Sequence, residues 1–216
     1  MKKKIISSNR VYLVITNLIR LFIVIALVGA ALEKDWTILF ISILVLALTF
    51  LPSLIEKNYK IYLPVEFELV IIIFMYASLF LGEVKGYYTI FWWWDLILHA
   101  GSGIAFGFIG FLILYVLYKS GKIKANPSTI AMFSFSFGLA IGTMWEIFEF
   151  TLDNSLGINL QKSGLKDTMW DLIIDGAGAL IASFTGYLYL KREREGFFGK
   201  LVKDFKKENP KLFKRK

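Results

Sequence analysis

Asp95 and His99 stand four residues apart in Trp92-Trp93-Trp94-Asp95-Leu96-Ile97-Leu98-His99, so on a helix a carboxylate and the chain's only histidine share one face. That pairing serves proton transfer or metal ligation. Glu146, Glu149 and Asp153 step by three and then four, and Asp167, Asp171 and Asp175 step by four each time. Each trio is therefore one stripe of a helix, covering roughly 10–12 Å at about 1.5 Å per residue. Hard divalent ions take carboxylate oxygens, and Mn²⁺ and Zn²⁺ accept an imidazole as well. The residues could thus hold a divalent metal ion, whether Mg, Mn, Zn or Ca. Glu146, Asp171 and Asp175 are the leading ligands, and Glu149, Asp153 and Asp167 are further ones. His99, oriented by Asp95, is a general base or a ligand. No His-Glu-x-x-His spacing occurs, so the ion's identity stays open. Carboxylates sharing protons, or plain polar packing, would also account for these residues.

The elements that must position them are membrane helices. The chain of 216 residues is 56% hydrophobic and 19% charged, with a mean hydropathy of +0.61, which is not the balance of a water-soluble globule. Several apolar runs reach the ~20 residues that cross a bilayer. An all-α bundle of six spans is expected, at about 11–32, 36–55, 64–81, 94–118, 128–151 and 170–190. Together these make a membrane domain over 1–190, followed by a basic tail over 191–216. The first run follows Lys2, Lys3 and Lys4 as a signal peptide would. It is too long for one and contains Asn17 and Arg20, so it reads as an uncleaved helix. The absence of cysteine excludes disulfides, thiolate metal sites and cysteine nucleophiles.

Basic residues set the orientation. Segments 1–10, 56–60, 119–124 and 191–216 hold twenty Lys and Arg, whereas the alternate connections hold four: Lys34, Lys85, Lys162 and Lys166. Both termini are therefore expected in the cytoplasm. All seven carboxylates and His99 then fall in the outer part of the bilayer, at a level marked by Trp92–Trp94, because indole prefers the headgroup zone. His99, Glu146 and Asp175 should be deepest, with Asp95, Asp153 and Asp167 at the mouth. Residues 154–166, with Gly157 and Gly164, form an outer loop that could close over them.

Helices four to six also carry the small-xxx-small pairs Gly103/Gly107 and Gly138/Gly142, which let backbones approach closely. They read as the working core, and the first three as its support. Arg20, deep in the first span, needs an internal partner, and Glu66 or Glu68 is the expected one. In the tail, Phe197, Phe198, Leu201, Val202 and Phe205 alternate with lysines. That pattern predicts a basic amphipathic helix on anionic inner-leaflet lipid. Eleven Lys and Arg against four Asp and Glu in the tail leave the rest of the chain nearly neutral, so nucleic acid is not expected as a partner.

Trp-Trp-Asp-x-x-x-His (93–99), Trp-Glu-x-x-Glu (145–149) and Asp-Thr-x-x-Asp-x-x-x-Asp-x-x-Gly-Ala (167–179) resemble the YjdF-like family of uncharacterised bacterial and archaeal inner-membrane proteins. More remotely the chain is similar to VanZ-like proteins, linked to glycopeptide resistance at the cell surface. Their pattern has Asn where Asp175 stands here. The resemblance implies a multi-pass protein of a prokaryotic plasma membrane and leaves the activity open.

An ionised acid facing lipid costs about 2–3 kcal/mol on lenient scales, and like charges repel; a cation removes both penalties. The leading expectation is a metal-dependent hydrolase or transferase acting on a lipid headgroup or lipid-linked phosphate at the outer leaflet. The alternatives are a non-catalytic envelope protein of the VanZ-like type and a small ion-coupled transporter. Ser102, three residues after His99, is a weak candidate nucleophile. The Asp-x-x-x-Asp steps resemble prenyl-diphosphate sites, but the acid face lacks basic partners.

Overall fold

The structure is a computed structural model. It describes residues 2–157, 159–192 and 196–214, with side chains from residue 11 onward. The side chains of Lys2, Lys3, Lys4 and Arg10, the loop residue Ile158, and tail residues 193–195 and 215–216 lie outside the described residues, although parts of the charge and loop readings rest on them.

Every described element is helical. In order they are α1 (Lys2–Glu33), α2 (Trp36–Leu48), α3 (Leu51–Tyr59), α4 (Val65–Met75) with a π-helical continuation Tyr76–Val84, and the short α5 (Tyr87–Ile90). Then follow α6 (Trp94–Lys119), α7 (Pro127–Leu156), α8 (Leu165–Arg192) and α9 (Phe197–Glu208), closed by a 3₁₀ turn at Pro210–Phe213. Six helical stretches are long and apolar enough to cross a membrane: Val11–Glu33, Trp36–Tyr59, Val65–Val84, Trp94–Lys119, Pro127–Leu156 and Leu165–Arg192. Six is the number expected. Asn126 caps α7, its Oδ1 accepting from Thr129 N at 2.8 Å, with Pro127 behind it. Gly157, at φ +67°, ends the helix, in the left-handed conformation a glycine adopts without steric cost.

The chain forms two compact units, Met1–Trp94 and Asp95–Lys216. In the first, Ile19, Ile23, Val45, Ile72 and Phe80 make the core. The second span is broken at Thr49–Phe50, because Pro52 has no N–H for the carbonyl four residues back. Arg20 answers that break. Its Nε donates to Thr49 Oγ1 at 3.0 Å, its Nη2 donates to the Thr49 carbonyl at 3.1 Å, and the guanidinium lies 4.0 Å from the centre of the Phe50 ring. Arg20 thus finds its hydrogen bonds on the second span, where a carboxylate of the third was expected. Glu68 is hydrogen-bonded with Tyr12 instead.

The second unit holds the three acid-bearing helices, and glycine sets their spacing. A Cβ built on Gly103 would collide with the Asp175 carbonyl oxygen. One on Gly138 would lie 2.8 Å from Ala179 Cβ and 3.0 Å from Gly107 N, and one on Gly178 would lie 2.6 Å from the Ala100 carbonyl oxygen. Ser134 Oγ donates to the Gly107 carbonyl at 2.6 Å across the α6–α7 seam. Both small-xxx-small pairs therefore sit where backbones meet. The tail helix α9 buries Leu201, Val202 and Phe205. Phe198 packs edge-on against Phe108 and Phe111, with ring centres 4.6 and 5.0 Å away. The face expected against lipid is thus covered by protein, apart from Phe197, while Lys200, Lys203, Lys206, Lys207 and Lys211 are exposed.

Candidate metal centre

Three helices bring their acids to one level. Asp95 and His99 lie on the first two turns of α6, Glu146 and Glu149 near the end of α7, and Asp167, Asp171 and Asp175 on the first three turns of α8. His99, Glu146, Asp171 and Asp175 are buried, whereas Asp95, Glu149, Asp153 and Asp167 are half-buried toward the mouth. His99, Glu146 and Asp175, the three expected deepest, are all in the buried group, and Asp171 joins them. Gly142 makes the convergence possible, since a Cβ there would collide with Asp175 Oδ2.

His99 organises the cluster through the difference between its two ring nitrogens. Nδ1 lies 3.1 Å from Asp175 Oδ2. Asp175 Oδ1 in turn accepts from Ser102 Oγ at 3.0 Å, a hydroxyl also 2.8 Å from the His99 carbonyl. A carboxylate at Nδ1 selects the tautomer with its proton there. Nε2 then faces Asp95 Oδ1 at 3.7 Å, Glu146 Oε1 at 3.9 Å and Asp171 Oδ1 at 4.0 Å. A neutral imidazole would thus aim a lone pair at three acceptors. Only a proton or a cation makes that arrangement favourable. Ser102 lies on the Nδ1 side, away from Nε2, so it buttresses Asp175 and is not placed as a nucleophile.

Glu146 presses the same point. It is 3% exposed, and neither carboxylate oxygen has a partner in hydrogen-bonding geometry. Thr168 approaches it closely enough to interact, and its hydroxyl, which accepts from Gln161 Nε2 at 2.6 Å, keeps its own proton to donate. Buried carboxylates without partners are strongly unfavourable, and this one is aimed at Nε2.

The remaining acids have other occupations. Asp153 accepts the backbone N–H groups of Leu160 at 2.7 Å and Gln161 at 2.9 Å, so it shapes the loop after α7. Glu149 Oε1 accepts from Trp145 Nε1 at 2.9 Å. Asp167, in the first turn of α8, lies in the field of Lys162 and Asp95. Lys162 is the residue of this cluster that reading the sequence missed. Its Nζ lies 2.9 Å from Asp95 Oδ2, so the acid face does have a basic partner. Its signal was only its place in the loop between Gly157 and Gly164.

Asp95, His99 and Asp171 offer ligand atoms that all lie within 4.8 Å of one another. Tetrahedral ligands about 2.0–2.3 Å from an ion stand about 3.3–3.8 Å apart. The 3.7–4.0 Å separations around Nε2 are a few tenths of an ångström wider. The nitrogen and the carboxylates of Asp95 and Asp171 could hold a divalent ion, polarise an oxygen bound to it and activate a water, and Glu146 Oε1 lies 3.9 Å from the same nitrogen.

Residues 15–192 match a family described as predicted membrane protein, DUF2238. The chain belongs to that family. It is 28% identical over 149 residues to an uncharacterised protein of Thermotoga maritima, covering 69% of this chain and 74% of the relative. No solved structure matches it.

Proposed function

We propose that this member of the predicted membrane protein family is a divalent-metal-dependent hydrolase or transferase, acting on a lipid headgroup or lipid-linked phosphate at the membrane surface. The observation that carries the reading is the unpartnered, buried carboxylate of Glu146, facing the same nitrogen of His99 as Asp95 and Asp171. His99 Nε2, Asp95, Glu146 and Asp171 are the ligands, and Asp175 holds the imidazole in the ligating tautomer. An imidazole donor favours Zn²⁺ or Mn²⁺ over Mg²⁺ and Ca²⁺. A bound ion would supply Lewis-acid polarisation of a phosphoryl or carbonyl oxygen and a lowered pKa for a water, the chemistry that ester hydrolysis with release of an alcohol requires. Asp167, half-buried, is the acid we assign to take the proton from that water. The basic residues on alternate connections support a plasma-membrane protein with this cluster outward, and the exposed lysines of α9 support contact with anionic inner-leaflet lipid.

Elemental analysis of the purified chain, after equilibration with Zn²⁺ or Mn²⁺, tests the reading. About one ion per chain is expected for wild type, with loss in Glu146→Gln and Asp171→Ala. A wild type that binds no ion, while both variants remain folded, would sink it. An ion bound without turnover of phosphate esters would leave a transporter or a non-catalytic envelope protein.

A further inference from the structure

We propose that Lys162 is a substrate-binding residue of this same site, receiving a phosphoryl group of the substrate once the ion is in place. The proposal rests on the metal reading above. Asp95 is shared between the ammonium and the cluster: its Oδ2 lies 2.9 Å from Lys162 Nζ and its Oδ1 lies 3.7 Å from His99 Nε2. An ion among the ligands draws on the same carboxylate, so its arrival weakens the hold of Asp95 on the ammonium. The Lys162 and Asp95 side chains are 33% and 22% exposed, and an ion pair in contact with water holds weakly. An incoming phosphoryl oxygen then competes with Asp95 for the ammonium.

The loop keeps Lys162 where this exchange can happen. Asp153 fixes the backbone at Leu160 and Gln161, and Gln161 is tied to Thr168 on α8. The ammonium is thereby kept on Asp95, a carboxylate of the cluster, and ion and ammonium would bracket one phosphoryl group from two sides. The order of binding follows from charge. Asp95, Asp167, Asp171 and Glu146 repel an anion, so a phosphoryl group enters only after the ion. Ion and phosphoryl group must then tighten each other's binding reciprocally.

Titration of the purified full-length protein in detergent with micromolar Mn²⁺, followed by the resonance of the free ion, tests this. The titration is run without additive, with inorganic phosphate, and with micelles containing phosphatidic acid. For wild type a phosphoryl probe should tighten Mn²⁺ binding about five- to tenfold, a modest coupling. Lys162→Met should lose that tightening. Without a probe it should bind Mn²⁺ at least as well as wild type, because a competing cation has left Asp95. Lys162→Arg should restore the coupling. A response confined to phosphatidic acid identifies a lipid headgroup as the source, and a response to inorganic phosphate as well identifies a free phosphoryl group. Mn²⁺ binding that neither probe alters, or a tightening that survives in Lys162→Met, overturns the proposal and leaves the metal site standing. No Mn²⁺ binding in wild type removes the metal reading, and this one with it.

Discussion

Asp175 holds His99 by Nδ1, at 3.1 Å, and so turns Nε2 toward the carboxylates of two other turns and another helix. Each acid on α8 acquires a distinct task from this. Asp171 faces the ligating nitrogen, while Asp175, one turn deeper, fixes the ring behind it.

Asp175→Asn is therefore expected to weaken Zn²⁺ or Mn²⁺ binding without abolishing it. Loss of the carboxylate behind a ligating histidine typically lowers affinity about 10–100-fold. Asparagine keeps an acceptor for Nδ1–H, which puts it at the lower end. Competition titration with a chromophoric chelator measures the effect beside Asp171→Ala, which should bind no ion. Equal loss in the two variants would make Asp175 a direct ligand.

Glu146→Gln should move metal affinity and metal-free stability in opposite directions. The carboxylate is buried without a hydrogen-bond partner, so neutralising it relieves a desolvation penalty on the order of 1–3 kcal/mol or more. Thermal denaturation in chelator should show the variant more stable than wild type. In saturating Mn²⁺ the order should reverse, because only wild type gains binding energy. A variant less stable in both conditions would mean that Glu146 is held by partners of its own.

Two glycines of α6, two residues apart, should respond differently to alanine. A Cβ at Gly103 meets the Asp175 carbonyl oxygen, which belongs to a backbone that cannot step aside, whereas a Cβ at Gly101 meets nothing within 4 Å. Gly103→Ala should cost about 1–3 kcal/mol by overpacking and lower metal occupancy by displacing Asp175. Gly101→Ala should be neutral or slightly stabilising, since alanine favours helix by up to about 1 kcal/mol. Denaturation midpoints and bound metal, read on both variants, decide it.

The stripes of acids were legible because helical period alone puts residues three and four apart on one face. The division of labour within the cluster was not. Asp175 reaches Nδ1 through space that Gly142 leaves open on a different helix, a contact between helices that no spacing within one encodes. Lys162 reaches Asp95 because Asp153 gathers two backbone N–H groups into a loop, and loop conformation of that kind is tertiary. Arg20 is a different case. Pro52 was visible in the sequence, and a proline four residues after Leu48 leaves a carbonyl without its donor. The broken end of the second span was therefore a readable place for the guanidinium, one residue from the position it takes at Thr49.

Topology decides which leaflet supplies a substrate, and this chain lends itself to the measurement because it has no cysteine. Ser163→Cys places one thiol on the exposed loop between α7 and α8, beside Lys162, and Lys122→Cys places one on the exposed connection between α6 and α7. The twenty-to-four division of basic residues between alternate connections puts the first outside and the second in the cytoplasm. In intact bacterial cells a membrane-impermeant maleimide should label Ser163→Cys and leave Lys122→Cys unlabelled until the membrane is opened. The reverse pattern would put the ligand cluster at the cytoplasmic face. The geometry around His99 would be unchanged, but the phosphate available to it would come from the inner leaflet or the cytosol. The lysines of α9 would then face away from anionic inner-leaflet lipid and need another partner.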